Sequence, residues 1–98
     1  MSNFGELISS NFSVLIEFYA EWEESAADVH STLRDVAAAL GDREKVIKID
    51  IEKNEILANA LRIKGNPTYI IYKDGEMKWR QSGDQDANTL ISLVQQYV

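Results

Sequence analysis

The sequence predicts a single α/β domain over residues 1–98, with a mixed central sheet of four or five strands and helices on both faces. Three observations predict it. Short β-branched runs alternate with helix-period runs, which is the pattern of strands joined by crossover helices. An Asp-Gly pair late in the chain, Asp74-Gly75, is a two-residue hairpin signal that adds antiparallel strands to that unit. The composition, 45% hydrophobic and 27% charged, is that of a globular protein able to bury a core.

The elements follow in order. Asn3 and Glu6 are spaced as a capping box ahead of Phe4, Leu7 and Ile8, which predicts a short first helix ending near Asn11. Ser13 to Tyr19 is apolar on both faces apart from Glu17, so this strand is expected to be covered on both sides. From Ser25 onward Val29, Leu33, Val36 and Leu40 step by four, three and four along one helix face, and Gly41 is the natural stop. Lys45 to Ile51 reads as a second strand, in which Val46, Ile47, Ile49 and Ile51 are interrupted by Lys48 and Asp50. Asn54 is placed to open a short helix with Ile56, Leu57, Ala60 and Leu61 on one side. Gly65-Asn66-Pro67 breaks the chain before the strand Thr68 to Tyr72. Behind the hairpin turn, Met77 and Trp79 alternate with Lys78 and Arg80, which puts both apolar residues in phase and Trp79 in the core. Asp86 is expected to cap a last helix that buries Leu90, Ile91, Val94 and Tyr97 or Val98.

Charge and composition narrow the function. Sixteen acids against ten bases give a net charge of −6, which leaves no basic footprint for nucleic acid or for an anionic membrane surface. No apolar run approaches the roughly 18 residues of a spanning helix. The start of the chain lacks the basic and apolar segments of a secretory signal, so a cytoplasmic location is the expectation. There is no cysteine, hence no disulfide, no thiolate nucleophile and no thiolate metal ligand. The acids Glu21, Glu23, Glu24 and Asp28 match no calcium-loop spacing, and helix-start electrostatics accounts for them. His30 is the one histidine, and neither a metal nor a cofactor is expected.

Val14-Leu15-Ile16-Glu17-Phe18-Tyr19-Ala20-Glu21-Trp22 resembles the strand that enters the active site of the thioredoxin family. The resemblance continues through Lys48-Ile49-Asp50-Ile51, Gly65-Asn66-Pro67-Thr68, Lys73-Asp74-Gly75-Glu76 and Gly83, nearly the whole chain. It implies a thioredoxin-like fold. The family's Cys-Gly-Pro-Cys is replaced by Glu23-Glu24-Ser25-Ala26, with Glu23 at the position of the attacking cysteine and Ala26 at that of the resolving one. Disulfide exchange needs a thiolate that attacks sulfur, which neither a carboxylate nor a methyl group supplies. The oxidoreductase activity is therefore not expected to carry over, and no residue is assigned a catalytic role.

The resemblance also implies that Pro67 is the family's cis-proline, beside which the backbone of Asn66 would pair with an extended segment. Trp22, Glu23, Glu24, Asn66, Pro67, Gly83 and Asp84 are then the candidate binding residues, for a protein or peptide more polar or basic than a usual thioredoxin substrate. Trp22 reads equally well as scaffold packed over the helix start. Glu17 matches the family's buried acid and Lys48 its lysine partner, and without a thiol to serve they read as a structural charge pair. Two alternatives stand beside peptide binding: a non-catalytic subunit of a thiol-disulfide system, and a structural or self-association module.

Overall fold

The structure, a computed structural model, describes residues 4–9, 13–20, 26–41, 45–63, 67–83 and 85–97. The elements run α1 (Phe4–Ile8), β1 (Val14–Tyr19), α2 (Ala26–Leu40), β2 (Lys45–Asp50), α3 (Glu55–Ala60), β3 (Thr68–Lys73), β4 (Glu76–Ser82) and α4 (Ala87–Gln96), the expected order. The four described strands form one sheet in the order β2-β1-β3-β4. β1 and β2 are parallel and joined through α2, while β1 with β3 and β3 with β4 are antiparallel.

β1 explains why the sheet is covered on both sides. Successive side chains of a strand point to opposite faces, and residues 14–18 are all buried. Val14, Ile16 and Phe18 join Ile70 and Tyr72 in one cluster, packed against Phe4 and Ile8 of α1 and Leu57 of α3. Leu15 joins Tyr69 and Ile71 in the other, against Leu33, Val36 and Leu40 of α2 and Leu90 and Val94 of α4. Leu33, Val36 and Leu40 of the α2 stripe and Leu90 and Val94 of the α4 stripe are thus buried, with Ile91 and Tyr97 half-buried, while the Val29 side chain and Val98 lie outside the described residues.

Local chemistry fixes the ends. Gly41 takes φ +70° just after α2, the left-handed conformation that glycine adopts most readily. Asp86 caps α4, its Oδ1 accepting the Thr89 N–H at 2.8 Å. Asp74 and Gly75 both have positive φ, 54° and 81°, as a type I′ hairpin turn requires. The Gly75 N–H donates to the Ile8 carbonyl at 3.0 Å, so the turn also fastens the end of α1.

Three expectations change. The β3–β4 register shifts between Ile71 and Tyr72, so that Trp79 pairs with Ile71, Met77 with Tyr72, and Lys78 is the extra residue of a bulge. Ile71 and Tyr72 face opposite sides, and Met77 and Trp79 therefore lose their common phase. Trp79 packs on the α2–α4 cluster, whereas Met77 is exposed. In α3 the buried residue is Ala58, flanked by half-buried Leu57 and Leu61, and Ile56 is 88% exposed. Asn54 precedes α3 without a side-chain cap, because its Nδ2 donates back to the Asp50 carbonyl at 2.9 Å.

Candidate functional site

The strand directions bring several chain segments to one end of the sheet. Phe18 of β1 lies beside Thr68 of β3, and Thr68 beside Ser82 of β4, so the exit of β1, the entry of β3 and the exit of β4 are neighbours. The exit of β1 is where the chain departs for α2, which starts at Ala26.

At this end Pro67 is buried, and its carbonyl accepts the Gly83 N–H at 2.8 Å. Beneath it the Thr68 and Ser82 hydroxyls lie 3.3 Å apart, with Thr68 fully buried. Gly83 has φ +97°, a conformation that strains any residue with a Cβ. Of the candidate binding residues, the structure brings Pro67 and Gly83 together. Trp22, Glu23, Glu24, Asn66 and Asp84 lie outside the described residues, as does the Asn66–Pro67 peptide bond.

The end of α3, which precedes this site in the chain, is fastened by an interaction that the sequence reading missed. Arg62 follows α3 with φ +56°, while the Ile63 N–H reaches back to the Ala58 carbonyl at 2.9 Å and the Arg62 N–H to Asn59 at 3.1 Å. This is a Schellman ending with arginine where glycine is usual. Arg80 of β4 donates from Nη1 to the Leu61 carbonyl at 2.6 Å and from Nη2 to the Arg62 carbonyl at 2.8 Å, placing a cation on the negative end of α3. An arginine in a strand carries no signal of a helix end that lies 18 residues earlier.

Glu17 sits on the α2–α4 face in one cross-strand row with Lys48 and Tyr69. It is fully buried, and among the described residues neither of its carboxylate oxygens has a hydrogen-bond partner. Burial pushes its pKa up from 4.5 to about 8, and the opposing pull of Lys48 is smaller. Lys48 is exposed. The two are register neighbours rather than a closed ion pair, and at neutral pH Glu17 is predominantly the neutral acid. Among the described residues no cluster of three or more His, Cys, Asp or Glu could hold a metal ion.

The parallel β1–α2–β2 unit, the antiparallel β3–β4 pair and the Pro67 loop make up the arrangement that the sequence resemblance implies. The thioredoxin family model matches residues 1–96. The chain belongs to the thioredoxin family. It is 39% identical over 95 residues to the chloroplastic thioredoxin Y of Oryza sativa, covering 96% of this chain and 56% of that protein. It thus spans a little over half the length of that relative. A thioredoxin-like protein of Synechocystis sp. is 33% identical over 98 residues, covering 99% of this chain and 93% of the relative. Among solved structures, a mutant thioredoxin from Halobacterium salinarum superposes with a TM-score of 0.86 at 30% identity, covering 99% of this chain and 84% of that one. Chloroplastic thioredoxin z gives 0.84 at 30% identity, covering 99% and 90%. This thioredoxin-family chain keeps the fold without the thiols: it contains no cysteine, so it offers no thiolate for disulfide exchange. No helix among its described residues is long and apolar enough to cross a membrane.

Proposed function

We propose that this chain is a redox-inactive thioredoxin-family module that binds a protein or extended peptide at the loop face around Pro67 and Gly83. The observation that supports this reading is the 2.8 Å hydrogen bond from the Gly83 N–H to the Pro67 carbonyl, which joins the two loops although there is no thiol chemistry left for them to serve. A family site has two parts, a thiol that captures substrate and a backbone groove beside the proline that aligns it. Only the second can operate here, by main-chain pairing with an extended segment. Trp22 would supply an aromatic anchor. Glu21, Glu23, Glu24 and Asp84 would draw a basic partner over long range.

The test is a titration of isotope-labelled protein with extended Lys- and Arg-rich peptides. Amide shifts should appear at Thr68, Ser82 and Gly83, and affinity should fall with salt because exposed charges are screened beyond about 8–10 Å. Trp22→Ala should weaken binding by about 2 kcal/mol. Shifts confined to another face, or an unchanged affinity in a folded Trp22→Ala protein, would show that the inherited site is vestigial.

A further inference from the structure

Strand β2 ends the described sheet, and its outer side is equipped for pairing. The Lys45 N–H bonds Ser13 and the Ile51 N–H bonds Tyr19, at 3.1 and 2.9 Å, so the odd-numbered residues of this strand turn their backbone groups toward β1. By the period of two, Val46, Lys48 and Asp50 turn theirs outward. The Asp50 carbonyl is taken by Asn54, and its Oδ1 by the Glu52 N–H at 2.8 Å. Among the described residues nothing pairs with the outward groups of Val46 and Lys48. They form a short open edge, the kind of surface that recruits another strand.

The same two residues aim their side chains at the α2 side, where they line a groove of about 270 Å³ with Leu33, Arg34 and Ala37. Its floor is apolar and its rim carries two cations, Arg34 and Lys48, on a molecule whose net charge is −6. This charge selects the occupant. A second copy of the chain pairing through β2 would set this cationic rim beside its own duplicate and supply no acid to it. An acidic strand meets the same cations as partners.

We propose that the open edge of β2 binds an extended acidic segment of another protein, which adds a strand through Val46 and Lys48, seats an apolar side chain in the groove and sets a carboxylate between Arg34 and Lys48. This surface is separate from the Pro67–Gly83 face, and it takes the opposite charge. An acidic partner here and a basic partner there can be tested independently.

The probe is a capped Thr-Val-Thr-Glu-Thr peptide, whose Val and Glu share one strand face at the spacing of Val46 and Lys48. Titration should shift and protect the Val46 and Lys48 amides. The dissociation constant should rise about tenfold or more in Arg34→Glu and in Lys48→Glu, both at surface positions. A peptide with lysine in place of glutamate, and one N-methylated along its pairing side, should not bind. The proposal is overturned if the amides of β2 do not respond at millimolar peptide, if the N-methylated peptide binds equally well, or if those amides become protected with rising protein concentration alone, which would make a second copy the occupant.

Discussion

Glu17 puts the largest electrostatic question of the molecule into a single side chain. An unpartnered acid in the core is costly when ionised, and the structure answers by keeping it protonated, with a pKa of about 8 in place of 4.5. Below pH 4.5 folded and unfolded chains both carry the proton, between 4.5 and 8 the folded chain holds it more strongly, and above 8 the fold contains a buried anion. Stability from this group is therefore full at low pH and lost as pH rises through that window. Glu17→Gln should remove this dependence, so the difference in Tm between variant and wild type should widen between about pH 5 and pH 8 in favour of the variant. Parallel Tm curves would show that Glu17 is ionised in the fold. Glu17→Ala, by contrast, opens a cavity and should destabilise by about 2 kcal/mol or more at low pH, a deficit that should shrink as pH rises toward 8 because this variant also lacks the acid.

At the scale of elements, α3 is short, and its stability depends on how it ends. Arg80 bonds two terminal carbonyls of α3 from the opposite end of the chain's last hairpin, and Arg62 occupies a left-handed position that glycine fills at lower cost. Arg80→Met should cost about 1–2 kcal/mol by leaving those carbonyls without their charged donor. Amide exchange should quicken in α3 and the segment leading to Pro67, and stay unchanged in α4, whose own cap is Asp86. Arg62→Gly should act in the other direction, raising stability by up to about 1 kcal/mol through relief of backbone strain. Denaturant unfolding of both variants measures this, and a gain from Arg80→Met or a loss from Arg62→Gly would remove the role given to that ending.

At the scale of the whole molecule, the scaffold of a redox family persists after its reactive atoms are gone. The wild-type chain should give no rate above background in insulin disulfide reduction with dithiothreitol. The double variant Glu23→Cys with Ala26→Cys should restore measurable turnover, because a helix start lowers the pKa of a thiol. That turnover should be weak, since Glu21 and Glu24 oppose a nearby thiolate. A wild-type rate that scales with protein concentration would refute redox inactivity.

Much of this fold is written in local chemistry, which is why it can be read from residues alone. The two-faced apolar run of β1, the stripes of α2 and α4, the Asp74-Gly75 turn and the Asp86 cap each depend on neighbours a few positions away. The replacement of both family cysteines by Glu23 and Ala26 is likewise a fact of sequence, and it decides the chemistry. The tertiary structure decided whatever depends on contacts between distant segments. The bulge at Lys78 separates Met77 from Trp79 because β4 must follow the register of β3. Arg80 reaches α3 because the hairpin returns beside it, and Glu17 is left without a hydrogen-bond partner among the described residues because it lies in the sheet's covered interior. The open side of β2 emerges only when the strands are ordered, since a strand's own residues do not say which neighbour it has.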